Sequence, residues 1–305
     1  MRFFSNETHF DFLRWRFYSL AASWTVILAG IVGYFLLGGL HYGIDFSGGT
    51  LVQVRIDQAR DIQEIRQALT DGGVEGFALQ AFGEEGNHDY LVSLTKAGEQ
   101  TGDAPRSPAA QVEQVLKEHY PSMVMRRVES VGPRVGAELK TSAYEAILFS
   151  LIAILAYIWV RFEWRYSIGA IVATTHDVLI VLAAFVFTQR EISLTVVAAV
   201  LTVAGYSVND TIVIFDRIRE FVRKFQKKDV KDTFNDSINQ TLSRTVLTAG
   251  TTLFVVLALY FFGGDIINDF AFALTIGIVV GTYSSIFVAA PVVYMLLQRF
   301  PARLR

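Results

Sequence analysis

Six apolar stretches recur along this chain at residues 17–37, 143–160, 166–187, 192–215, 245–262 and 270–297. Each is close to the roughly 20 residues that an α-helix needs to cross the hydrocarbon core of a bilayer. Between the first two the periodicity changes. Thr50-Leu51-Val52-Gln53-Val54-Arg55-Ile56 alternates with period two, the pattern of a half-buried strand. Residues 60–69 place Ile62, Ile65 and Leu69 at helical spacing, and Gly72-Gly73 ends that helix. Residues 77–82 and 90–94 predict two strands joined by a turn at Gly83, Gly86 and Asn87. Residues 96–105 form a polar loop, and Ser107-Pro108 opens a second helix striped by Val112, Val115 and Leu116. Residues 123–131 supply a last strand. The order β-α-β-β-α-β is that of a ferredoxin-like unit. The expected fold is an α-helical polytopic membrane protein with an α+β ferredoxin-like domain at 38–142, set between a first span and a five-helix region at 143–297.

Composition agrees with a membrane class. Hydrophobic residues make up 52% of 305 and charged residues 18%, against about 25% charged in soluble domains. The charges are unevenly placed. Arg2, Arg14 and Arg16 precede the first span, and no small-residue cleavage site follows a short core, so an uncleaved span is expected in place of a leader peptide. Arg161 and Arg165 lie between the second and third spans. A basic loop at 216–244 carries Arg217, Arg219, Arg223, Lys224, Lys227, Lys228, Lys231 and Arg244. Arg299, Arg303 and Arg305 close the chain, while the short loops on the other side hold only Arg190. By the positive-inside rule the 1–16 and 298–305 termini are cytoplasmic and the 38–142 domain is outside; translocated domains of that length are largely exempt from the count. Residues 230–242 are partly amphipathic and read as an inner-surface helix near anionic lipid. The absence of cysteine excludes disulfides and thiolate metal sites. His41, His88 and His119 are scattered through the outer domain without convergent partners. No metal, cofactor, catalytic centre or nucleic-acid partner is expected.

The candidate chemistry lies within the apolar runs. Asp210 sits about 9 Å inside the end of the fourth span marked by Asp216-Arg217. A carboxylate costs several kcal/mol there and points to proton or ion passage, or else to a packing acid satisfied by a neighbouring hydroxyl or by Asn. Asn209 precedes it. His176-Asp177 lies about 15 Å into the third span and reads equally as relay or as packing. Lipid satisfies neither cluster, so both should face the bundle interior. Arg244 opens the fifth span, followed by Thr245, Thr248, Thr251 and Thr252. It serves either as an interfacial anchor or as countercharge to Asp210, and the threonines can bond backbone or a neighbouring helix. Gly277-Ile278-Val279-Val280-Gly281 has the spacing of a close helix–helix seam. Asp45, Gly48 and Gly49 lie just outside the first span and read as a turn that sets the following strand into its sheet. The passage does not read as a nucleotide loop, because no Lys-Ser/Thr and no helix N-terminus follow.

Four passages together resemble the SecF family of the bacterial protein-export apparatus, within the RND superfamily. They are Gly43-Ile44-Asp45-Phe46-Ser47-Gly48-Gly49-Thr50, Arg161-Phe162-Glu163-Trp164-Arg165, the run from Gly205 to Glu220, and Arg244-Thr245 with Thr248-Ala249-Gly250-Thr251-Thr252. The resemblance covers nearly the whole chain. It implies a heterodimer with SecD, association with the SecYEG channel and with YidC and YajC, and an unfolded preprotein as cargo. It implies use of the proton motive force late in translocation across the cytoplasmic membrane. It also implicates Asp210 and Arg244 in proton passage, with SecD supplying a further intramembrane Asp. Three other readings compete: a non-conducting scaffold, half of a small-molecule RND exporter, and an intramembrane aspartyl protease using Asp177 and Asp210. The last lacks the Gly-x-Gly-Asp context expected of it.

Overall fold

The structure is a computed structural model that describes residues 8–56, 61–82, 88–94, 107–225 and 228–300. The expected turn at Gly83, Gly86 and Asn87, the 96–105 loop, and Arg2, Lys227, Arg303 and Arg305 lie outside the described residues. The chain divides into two compact units, Tyr42–Tyr144 and the remainder.

The smaller unit contains β1 (Gly49–Arg55), α1 (Ile62–Asp71), β2 (Phe77–Phe82), β3 (Asp89–Leu94), α2 (Pro108–His119) and β4 (Val124–Val131). The strands lie in the order β2-β3-β1-β4 and each neighbouring pair is antiparallel. This is the ferredoxin-like arrangement the periodicity predicts. Local signals set the helix starts. The Asp61 side chain accepts from the Gln63 amide, and Ser107 accepts from the Ala110 amide with Pro108 in the first turn. Val52 and Val54 of β1 are wholly buried against Ile65 and Leu69 of α1 and Val112 and Leu116 of α2. At the end of the two central strands Arg55 donates to Asp89 through two parallel bonds of 2.7 and 2.8 Å.

The expected turn near Gly48 is present. A single helical turn, Ile44–Ser47, is followed by Gly48 at φ +70° and Gly49 at φ +137°. Only glycine adopts such angles without strain. A Cβ on Gly48 would lie 2.8 Å from Pro133 Cα, and one on Gly136 would lie 2.9 Å from the Gly48 nitrogen. The turn is therefore packed backbone to backbone on the first turns of the helix that becomes the second span.

Among the described residues six helices are long and apolar enough to cross a membrane: Phe12–Leu36, Pro133–Arg161, Trp164–Thr188, Leu194–Lys224, Val230–Phe262 and Ile267–Arg299. We call these the first to sixth spans. Several overrun the apolar stretches that announced them. The 216–244 segment is not a loop: the fourth-span helix continues through it to Lys224, and the fifth restarts at Val230 after the Asp229 cap. Residues 230–242 are therefore the leading part of the fifth-span helix and not a separate surface helix. No proline falls between Val230 and Phe262, so nothing interrupts the backbone ladder.

The third, fourth and sixth spans form the buried centre. A Cβ on Gly277 would meet Val203 Cγ2 at 2.1 Å, and one on Gly281 would meet Ser207 Cβ at 3.1 Å. The glycine pair is a seam between the sixth and fourth spans, as its spacing predicts. Gly30 brings the first span equally close to Ala183 of the third. The sixth span widens into a π-helical segment at Ser285–Ala289.

The N-terminal segment is clasped by the fifth helix. Asn235 Oδ1 accepts from the Leu13 amide at 3.1 Å, while its Nδ2 donates to Asp11 at 2.8 Å. Asn239 accepts from the Phe10 amide and donates to the Phe10 carbonyl, and Lys231 donates to Asp11 at 2.7 Å.

Candidate functional site

The two intramembrane acids occupy different environments. Asp177, on the third span, is wholly buried. Its Oδ2 accepts from Ser284 Oγ of the sixth span at 2.7 Å and from Ser207 Oγ of the fourth. Its Oδ1 lies 2.8 Å from His176 Nδ1. The imidazole stacks on the Tyr283 ring at 6.2 Å and 28°, and its Nε2 has no hydrogen-bond partner. Tyr283 in turn donates to the Ser19 carbonyl of the first span at 2.9 Å. One carboxylate thus ties three spans together, and its histidine extends the contact toward a fourth. Buried charge in this setting is stable only when its lone pairs are met.

Asp210 is on the fourth span, three residues beyond Ser207. It is only 3% exposed, and its Oδ2 has no hydrogen-bond partner among the described residues. Its sequence neighbour Thr211 bonds Ser285 at 2.9 Å. Adjacent Ser284 and Ser285 of the sixth span point apart, Ser284 to Asp177 and Ser285 to Thr211, and a π-helical segment begins at Ser285; such bulges recur at functional positions in helices.

Arg244 forms no ion pair with Asp210. It lies exposed at the start of the apolar part of the fifth span, where its charge acts on Asp210 through space. It also lines a cavity of about 780 Å³ between the ends of the fourth and fifth spans. Thr245 is buried with an unpaired hydroxyl. Thr248, Thr251 and Thr252 donate to carbonyls on their own helix, at Arg244, Leu247 and Thr248.

The expected set of five residues is therefore divided. His176 and Asp177 are joined in one network; Asp210 is buried beside it with an unsatisfied oxygen; Arg244 is at a cavity mouth. Asn209 is not brought to them within this chain. It is exposed on the outer face of the fourth span, because adjacent helical residues point about 100° apart. Sequence reasoning missed Ser207, Ser284, Ser285 and Thr211. The visible signal was hydroxyl residues in apolar runs, above all the Ser284-Ser285 pair after Tyr283.

Comparison with known proteins bears directly on this site. Residues 111–299 match the family described as Protein export membrane protein SecD/SecF, C-terminal, and residues 35–59 match the SecD/SecF GG Motif. The chain belongs to the SecF family of protein translocase subunits. The Protein translocase subunit SecF of Desulfurispirillum indicum is 43% identical over 287 residues, covering 92% of this chain and 90% of that protein. That of Vibrio alginolyticus is 45% identical, covering 93% and 89%. The crystal structure of SecDF, a translocon-associated membrane protein from Thermus thermophilus, superposes with a TM-score of 0.85 at 35% identity. It matches 96% of this chain, which spans 39% of that SecDF chain. Membership in the SecF family makes this chain a multi-pass membrane subunit of the protein translocase. Asp45, Gly48 and Gly49 fall inside the GG motif, and both acids fall inside the longer match.

Proposed function

We propose that this chain pairs with a SecD-type half and couples proton entry to the late stage of preprotein translocation across the cytoplasmic membrane. The observation that carries the reading is Asp210, a carboxylate buried within a membrane span with an oxygen that has no hydrogen-bond partner among the described residues. Such a group changes charge at least structural cost, since no hydrogen-bond network is dismantled when it takes a proton. Arg244 supplies a movable countercharge. One proton falling through 100 mV releases about 2.3 kcal/mol, which biases a two-state change roughly fifty-fold. In this reading both termini and the ends of the fourth and fifth helices are cytoplasmic, as the Arg/Lys distribution favours. The Tyr42–Tyr144 unit is then periplasmic and meets the emerging unfolded chain. SecYEG, YidC and YajC are the proposed neighbours.

The test is completion of a trapped preprotein in inverted vesicles holding the chain and its SecD-type partner. With a proton gradient, wild type should finish translocation faster, while Asp210→Asn should show no gradient response. Equal acceleration of both would overturn the coupling role and leave a scaffold.

A further inference from the structure

The cavity at the ends of the fourth and fifth spans carries more positive charge than its own contacts use. Arg217 is held by Glu220 and by Gln240 at 3.0 Å, and Arg219 by Asp216 at 3.2 Å. Those two pairs consume both carboxylates of the lining. Arg223, Lys224 and Arg244 remain, all exposed, and none has a carboxylate within ion-pair distance among the described residues. Three unneutralised cations in one concave site are a receptor for a multiply coordinated anion, and phosphate suits the planar guanidinium forks.

The surface leading away from this cavity narrows the ligand. Arg244, Leu247, Thr251 and Phe254 follow at helical spacing and are all exposed, with Phe254 at 78% and Val255 beside it at 62%. The Thr251 hydroxyl is occupied by the Leu247 and Thr248 carbonyls, so it presents its methyl. An apolar track therefore runs from the cationic cavity into the part of the helix that lies in hydrocarbon. A soluble phosphate would use only the cavity; a phospholipid would use both.

We infer that the cavity binds the phosphate of one anionic phospholipid, with an acyl chain along the fifth-span stripe. This inference does not depend on proton coupling. The experiment is native mass spectrometry of the full chain in detergent, titrated separately with phosphatidylglycerol and phosphatidylcholine. One copy of phosphatidylglycerol should be retained in preference to phosphatidylcholine. The double substitution Arg223→Gln with Lys224→Gln should weaken that copy roughly ten- to thirty-fold, because each cation near an anionic headgroup contributes about five-fold. Arg223→Lys should retain it, which separates charge loss from misfolding. Leu247→Asn with Phe254→Asn should weaken phosphatidylglycerol and leave competition by deacylated glycerophosphoglycerol unchanged. Equal retention of the two lipids, or undiminished preference in the double variant, overturns the inference. Equal competition by glycerophosphoglycerol and the intact lipid overturns its lipid part and makes the cavity a soluble-phosphate site.

Discussion

Asp177 and Asp210 are chemically identical and differ in what surrounds them. Asp177 receives hydrogen bonds from two serines and faces a histidine nitrogen. Replacing it with alanine strands those donors in a buried site, so Asp177→Ala should destabilise the chain by about 2–4 kcal/mol. Unfolding by denaturant in lipid nanodiscs would measure this. Asp210→Asn leaves an oxygen that already lacks a partner, so it should change the same midpoint by less than about 1 kcal/mol. A large loss of stability at Asp210 would make it a packing acid. A third acid, Asp11, lies outside the spans. The Lys231 hydrogen bond, supported by Asn235 and the Arg14 amide, holds its carboxyl below the ordinary 3.8 against a partial desolvation that raises it. Its folded value is depressed, so the clasp is at full strength above pH 3.8 and weakens as pH falls through the folded value. Exchange of the Leu13 amide, corrected for its intrinsic rate, should accelerate only below about pH 4; acceleration between pH 5 and 7 would refute the assignment.

At the scale of elements, close backbone approach decides the two glycine motifs. Gly48 combines a left-handed φ with a Cβ position 2.8 Å from Pro133 Cα. Gly48→Ala should cost about 1–3 kcal/mol, read as a lower melting temperature with the far-ultraviolet spectrum retained. Gly277 faces Val203 with no room for a methyl. Gly277→Leu should therefore separate the sixth from the fourth span and disturb the serine contacts with Asp177, whereas Gly205→Ala, with open space around it, should be tolerated. These motifs were legible as turn and seam from spacing alone. The π-helical widening after Ser284 was not read, although Pro291 follows two residues beyond it and removes the bond to the Phe287 carbonyl. The merger of 230–242 into the fifth span was also hidden: its polar face suggested the interface, but helix continuity depends on uninterrupted backbone bonding and not on polarity.

Across the whole molecule, burial is uneven. About 56–61% of the apolar windows of the third, fourth and sixth spans is buried, against 6% for the second and 17% for the fifth. The exposed spans must face lipid or another membrane subunit, which fits a chain that spans 39% of the SecDF polypeptide it resembles. The sidedness proposed above is testable without background, since the chain has no cysteine. An Arg66→Cys variant should react with an impermeant maleimide added to intact spheroplasts, and an Asp232→Cys variant only after lysis. The reverse pattern would invert the topology and with it the direction of proton flow.

Hydropathy length and strand or helix period are local properties, so the six spans, the β-α-β-β-α-β order and the presence of acids within spans could be read from the sequence by itself. Which acid is satisfied could not. The partners of Asp177 stand 30 and 107 residues further along the chain, and a one-residue step on a helix turns a side chain by about 100°. Asn209 is thus exposed while Asp210 is buried. Only the packing of the third, fourth and sixth spans brings Ser207 and Ser284 to Asp177, while Oδ2 of Asp210 meets no hydrogen-bond partner among the described residues.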